Sequence, residues 1–330
     1  MLENKLRPVT ETDREELLTI SYSKLDLFAN CQRRYKKRYV DCKYTSSETL
    51  PLELGSILHK GLEIKGNYLI QGKEVDYDVI HKTVMDGCDE VTEKSSEHIN
   101  GVNDIKKKYS QVWLESFEDQ ENKSYDEKIK IYLDEVLPTR MEEEGWIVVG
   151  TEVPFEFVYD DRCIVHGFID RVDKNADGEL RIVDYKSSKK VFPDTKIKSP
   201  LQMVFYDLAA IHLWNITPKY HEYDFILLNE KQTSEKDGVC SKGYLTRGIK
   251  KIDKLLDQLN EAYKDKDFPP SPTPLCWWCP YTTSASLNAD KTYQNDCQYF
   301  SLWTPENKVF KVNKEWNPGE EDKPLRKLVF

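Results

Sequence analysis

Apolar and polar positions alternate in the middle of this chain and recur at helical spacing on either side of it. Trp146 to Tyr159 opens the strand-rich part, and Cys163 to Asp173 follows, rich in β-branched and aromatic residues. Asn175-Ala176-Asp177-Gly178 supplies turn chemistry, and Leu180 to Lys186 forms a second strand of a hairpin. Tyr223 to Leu228 and Tyr244 to Thr246 read as further strands. Helices are predicted over Tyr22 to Tyr44, where Ser21-x-Ser23 can cap the start, and over Leu52 to Leu69, Pro200 to Leu213 and Ile249 to Tyr263. Glu74 to Glu144 is charged, carries few strand signals and reads as several amphipathic helices inserted over the core. Strands flanked by helices predict an α/β fold, a mixed central sheet with helices on its faces.

Composition narrows this picture modestly. A chain of 330 residues can bury a sizeable core, as one elaborated domain or a core plus a helical insertion. Its formal net charge of −10 argues against indiscriminate binding of polyanions, although local charge matters more than the sum. No apolar run is long enough to span a bilayer, and Met1 to Thr19 is too acidic and polar for a signal peptide. A cytoplasmic location is therefore expected. The eight cysteines are then expected to be reduced, metal-bound or buried rather than paired in disulfides.

The candidate chemistry lies in the hairpin. Side chains alternate along a strand, so Asp184 and Lys186 point the same way, and hairpin pairing can bring Asp170 beside Asp184. Two carboxylates and a lysine at a strand end can hold a hard divalent cation and orient a water. A surface hairpin with solvated charges is the plainer alternative, but Ile169, Ile182 and Val183 set apolar neighbours around the acids. Unpaired charge in an apolar sheet is costly and has little structural use.

Gly167, Ile169, Asp170, Arg171, Val172 and Asp173, then Val183, Asp184, Tyr185, Lys186 and Ser187, resemble the motif of the PD-(D/E)XK nuclease superfamily, specifically its RecB-like exonuclease branch. That resemblance implies a restriction-endonuclease-like core. It extends to Gly55 through His59 and Glu63, and implies that His59 ligates metal beside Asp170 and Asp184. Glu152 corresponds to an acid often found before the hairpin. Gln202 and Tyr206 match a Q-x-x-x-Y motif associated in these nucleases with substrate binding at the active site. The implied reaction is phosphodiester hydrolysis with Mg²⁺ or Mn²⁺, Lys186 orienting the attacking water and offsetting transition-state charge.

Cys276-Trp277-Trp278-Cys279 is a C-x-x-C in a proline-rich loop, followed by Cys297. Ser21, Ser23, Leu25, Phe28, Cys31 and Tyr35 resemble an N-terminal helix of many RecB-like nucleases. Its cysteine joins three near the C-terminus around a [4Fe–4S] cluster. The resemblance thus implies a cluster on Cys31, Cys276, Cys279 and Cys297. Gln32 stands where the family has proline, and the gap from Cys279 to Cys297 is longer than usual. Four thiolates also suit structural Zn²⁺. Cys42, Cys88, Cys163 and Cys240 read as ordinary cysteines.

Arg33, Arg34, Lys36, Lys37, Arg38 and Lys43 cluster with Tyr35 and Tyr39, a mixture that can neutralise phosphates and stack bases, although a charge run also suits a solvated face. Lys189, Lys190, Lys196 and Lys198 extend a basic rim past the second hairpin strand. The resemblance implies a nuclease domain over 20–302, including a 74–144 insertion, and leaves a tail at 303–330. The activity it implies is a DNA exonuclease working on single strands or free ends in recombination, repair or replication, with a helicase or recombination protein as a possible partner. A structure-specific endonuclease or nickase, and a catalytically silent DNA-binding subunit, are the alternatives.

Overall fold

The computed structural model describes residues 5–43, 50–97, 129, 131–188, 190–273, 276, 279–282 and 296–297, with the backbone alone over 50–54 and 88–97. The 303–330 tail, most of 98–130, Lys189, Trp277, Trp278 and the Cys88 side chain lie outside the described residues. The chain divides into two compact units. One comprises Met1–Ser21 and Leu50–Lys250, the other Tyr22–Thr49 and Lys251–Phe330.

The first unit holds a seven-stranded mixed sheet: β1 (Leu6–Arg7), β2 (Leu18–Ile20), β3 (Trp146–Tyr159), β4 (Cys163–Asn175), β5 (Leu180–Lys186), β6 (Tyr220–Phe225) and β7 (Glu230–Thr233). Six strands run in the order β1-β3-β4-β5-β6-β7, and β2 pairs with β4. The predicted hairpin is present, with Arg171 opposite Val183 and Lys174 opposite Leu180. Gly178, at φ +81°, turns the chain between these strands where a side chain would be strained. β5 and β6 are parallel, so the chain must cross over between them. It does so through α6 (Asp194–Ile197) and α7 (Leu201–Trp214).

Because β3 lines one side of β4 along its length, β2 and β5 share the other side. β2 pairs with Cys163–Val165 and β5 with Arg171–Lys174. Among the described residues, the stretch His166–Asp170 between them has no strand partner on that side. This interval positions the candidate site.

Two helical layers cover the sheet. Leu58 and Leu62 of α4 (Leu50–Ile70) share a buried cluster with Val183, Tyr185 and Ile226, joined by Ile80 and Val84 of α5 (Tyr77–Glu97) and by Tyr132, Leu133 and Val136. On the other face, α7 brings Tyr206 against Phe155 and His212 against Phe157. The α4 face also buries a charge network. Arg171 pairs with Asp173 at 3.0 Å, Arg181 with Asp173 at 2.7 Å, and Arg140 with Asp224 at 3.1 Å. Such groups are tolerated inside because each charge meets an opposite one.

The second unit contains α2 (Tyr22–Asn30), α3 (Gln32–Tyr35) and a π-helical turn over Lys36–Val40. Phe28, Tyr35, Tyr39, Tyr263 and Phe268 form its aromatic core. The single helix expected over Tyr22 to Tyr44 is therefore broken. Cys31 adopts an extended backbone, φ −160° and ψ 106°, between α2 and α3.

Other expectations need correction as well. Tyr244 to Thr246 is not a strand but the first turn of α8 (Tyr244–Asp265), within which the division between the units falls. β6 ends at Phe225, so Ile226 to Leu228 lie in a turn rather than a strand. β7, β1, β2 and the short helix α1 (Glu11–Glu16) had no expected counterpart. α1 is fixed by a capping box between Thr10 and Asp13. Among the described residues, no helix is long and apolar enough to cross a membrane.

Candidate active site

Where β4 and β5 separate, the Tyr185 backbone N–H donates to Asp170 Oδ2 over 2.8 Å, so a side chain takes the place of a ladder partner. His59 reaches the same carboxylate from α4, its Nδ1 lying 3.7 Å from Asp170 Oδ2 and 3.9 Å from Glu152 Oε1. The imidazole also rests edge-on against the Tyr185 ring. Ligand atoms of His59, Glu152 and Asp170 all lie within 4.8 Å of one another. Glu152 gets there by an unusual backbone: it sits in β3 at φ +45°, in the left-handed region, between the pairs Thr151–Arg171 and Val153–Ile169. Strain of this kind persists only where surrounding structure enforces it.

Asp184 is fully buried and faces α7. Its Oδ2 forms an ion pair with Lys186 Nζ. Tyr206 donates its hydroxyl to Asp184 Oδ1 at 3.2 Å, and Gln202 Nε2 donates to Tyr206 Oη at 2.9 Å. Lys186 Nζ in turn donates to Gln202 Oε1 at 3.1 Å, which closes a ring of four residues. Their spacing follows from two periods: residues two apart share a strand face, and residues four apart share a helix face. Gln202 and Tyr206 thus meet Asp184 and Lys186 in register.

Burial sets the electrostatics. It pushes the Asp170 carboxyl well above its usual range, an effect reinforced by the Asp184 charge and opposed by Lys186. Burial likewise raises Glu152, with help from Glu63. The same desolvation takes His59 down to about 4, keeping its imidazole neutral and free to donate a lone pair. A neutral imidazole among carboxylates that resist ionisation is a donor set that a divalent cation would relieve. Hard oxygen donors with one nitrogen fit Mg²⁺ or Mn²⁺.

All six residues singled out in the sequence for this chemistry, together with His59, therefore converge in the first unit. Their partition differs from the expected one: Glu152 joins His59 and Asp170, whereas Asp184 is held by Lys186 and Tyr206. Glu63 pairs with Lys60 at 2.7 Å. Tyr185, named in the sequence only as part of the motif and given no role there, orients Asp170 with its backbone and backs His59 with its ring. Its place between Asp184 and Lys186 was the available signal.

Residues 19–284 match the family model described as the PD-(D/E)XK nuclease superfamily. The chain belongs to this superfamily. Curated relatives include an ATP-dependent helicase/deoxyribonuclease subunit of Streptococcus equi subsp. zooepidemicus, 31% identical over 196 residues, which are 59% of this chain and 16% of the relative. The subunit of the same name from Streptococcus agalactiae is 26% identical over 257 residues, 75% of this chain and 21% of the relative. This member of the superfamily thus spans about a fifth or less of the length of these two curated relatives.

The second unit of this PD-(D/E)XK chain carries the four predicted cysteines together. Cys31, Cys276, Cys279 and Cys297 line one small pocket with Arg33, Arg34 and Lys37. The extended backbone at Cys31 starts α3, and the Cys297 N–H donates to the Tyr281 carbonyl at 2.8 Å, tying it to the loop of Cys279. Burial raises the Cys276 thiol and takes Cys279 up to about 11. Cys163 and Cys240 belong to the first unit instead. The basic run is only in part a solvated face. Lys37 is buried and pairs with Asp296 at 3.5 Å, and Lys43 pairs with the same carboxylate.

Proposed function

We propose that this chain is a metal-dependent deoxyribonuclease that hydrolyses phosphodiester bonds, acting as an exonuclease on single strands or free DNA ends. The observation that carries this reading is the adjoining placement of two groups: His59, Glu152 and Asp170, and the ion-paired Asp184 and Lys186. A cation held by the first group would supply Lewis acidity and a bound water of lowered pKa. Lys186 orients the attacking water and places a positive charge beside the developing charge on the phosphate. Gln202 fixes the lysine ammonium, and Tyr206 fixes the Asp184 carboxylate. The Tyr185 N–H pins Asp170 through Oδ2, the oxygen that also faces His59.

The relatives' description as helicase/deoxyribonuclease subunits supports DNA as substrate, a helicase-associated partner and a role in repair or recombination. The thiol group of the second unit supports a structural [4Fe–4S] cluster held by Cys31, Cys276, Cys279 and Cys297, with four-thiolate Zn²⁺ as the other fit.

Incubation of end-labelled single- and double-stranded DNA with Mg²⁺ or Mn²⁺ tests the activity. Progressive loss from ends, abolished by a chelator, is expected. Cleavage of a circular single strand would instead assign endonuclease action, and no cleavage of any substrate would make the chain a silent DNA-binding protein.

A further inference from the structure

The unpartnered interval of β4 carries a feature that the chemistry above does not use. Phe168 lies two residues before Asp170 and is 57% exposed, although it is a large apolar ring. Its cross-strand partner is Pro154, which is also exposed and lies two residues after Glu152. An exposed apolar rung therefore sits next to the acid cluster on both of the strands that build it. At about 3.3 Å of rise per residue, the rung lies about 7 Å from the two carboxylate-bearing residues along each strand.

The rung's face can be assigned. The Phe155 ring covers Gly167, since a Cβ there would come within 2.6 Å of it, and Phe155 also packs against Tyr206 of α7. Phe155 and Gly167 are direct partners and point toward α7. Alternation then turns Pro154 and Phe168 the other way, to the side from which α4 delivers His59.

We propose that Phe168, backed by Pro154, is a stacking platform for an unpaired base of the nucleotide adjoining the phosphate held at the acids. This inference rests on the nuclease reading and specifies its substrate: a base can reach the ring only when it is free of a complementary strand. The platform suits any base, because each has a π-face, and a rigid proline beside the ring adds apolar surface without mobility. A phenylalanine left 57% exposed keeps most of its surface in water, and stacking a base covers it.

Binding separates this inference from cleavage. Affinity for a short fluorescent single strand is measured in Ca²⁺, with the strand checked afterwards for integrity, for the full chain and for Phe168→Ala, Phe168→Leu and Phe168→Trp. A loss of about tenfold is expected for the alanine and leucine variants, with retention by tryptophan and no difference among all four proteins on a base-free sugar-phosphate strand. Restored binding in Phe168→Leu would overturn the proposal, since that side chain replaces apolar volume but cannot stack. Equal losses on the base-free strand would overturn it as well. A protein that discriminates these ligands but never cleaves DNA would keep the platform and reject the nuclease reading. Cleavage by all variants with unchanged affinity would do the reverse.

Discussion

Tyr185 donates its backbone N–H to Asp170 Oδ2 over 2.8 Å at the point where β4 and β5 cease to pair. The bond links the separation of two strands to the orientation of a carboxylate. One Asp170 oxygen satisfies a buried donor, and the neighbourhood of His59 and Glu152 is left to complete the site. A carboxylate so placed is costly when ionised and alone.

A stability reversal with pH follows for Asp170. Its folded-state pKa is raised, so the native protein binds the proton more tightly than the unfolded chain does. The stability it contributes is full below about pH 4 and is lost as pH rises through the folded value. Asp170→Asn keeps an acceptor for Tyr185 but cannot ionise. Without divalent cation it should melt above the unaltered protein at pH 8, and the gap should close toward pH 4. Added Mn²⁺ should raise the melting temperature of the unaltered protein only. Equal melting curves at both pH values would refute the burial argument.

Asp184 and Lys186 can be tested as a pair. Asp184 is fully buried, so Lys186→Ala leaves its charge without the cation that compensates it. A loss of about 1–3 kcal/mol is expected, below the usual range for buried pairs because Lys186 is itself 21% exposed. Turnover should fall by about 10²–10³. Adding Asp184→Asn should restore most of the melting temperature and none of the activity. A double variant that recovers cleavage would remove both residues from the mechanism. The burial of Asp184 is the reason stability responds at all, and a strand-end position in the sequence does not announce it.

Glu152 offers a test of stored strain. Left-handed backbone costs a non-glycine residue about 1–2 kcal/mol, and glycine avoids that cost at the expense of about 0.5–1 kcal/mol of chain entropy. Glu152→Gly should therefore be more stable than Glu152→Ala by up to about 1 kcal/mol in urea denaturation. Both should lose cation binding, measured by calorimetry. An alanine variant more stable than the glycine one by about 0.5–1 kcal/mol would mean that the φ of +45° carries no strain.

The hairpin was legible because three local signals agree there: period-two patterning in Cys163 to Asp173 and Leu180 to Lys186, turn residues between them, and acids among β-branched neighbours. The meeting of Gln202 and Tyr206 with Asp184 and Lys186 was legible through the family resemblance, since strand and helix periods fix spacing but not which elements pack. Tyr244 to Thr246 misled because Tyr-Leu-Thr favours strands locally. The long amphipathic run behind it overrides three residues of propensity. The backbone of Glu152 left no trace in sequence, for a glutamate gives no hint of a left-handed conformation. Nor did the break at Cys31, where an extended residue between two helices puts a thiol beside the loop of Cys276 and Cys279.

That break makes the last prediction. Cys31 and Cys276 are separated by most of the chain, yet line one pocket with Cys279 and Cys297. A shared metal centre there closes a very long loop, and its binding energy becomes folding energy. Burial disfavours the thiolate forms of Cys276 and Cys279, so loading a metal must displace their protons and should weaken as pH falls. Protein purified without oxygen should be brown, with broad absorbance near about 400 nm, as expected of cysteine-ligated iron–sulfur centres. Serine at any one of the four positions should bleach it and expose the second unit to protease. Serine at Cys42, Cys163 or Cys240 should leave colour and protease resistance of that unit intact. Colourless protein with one equivalent of zinc would keep a four-thiolate centre and reject the cluster. Metal-free protein that resists protease as well as its serine variants do would show that the four thiols are neighbours only.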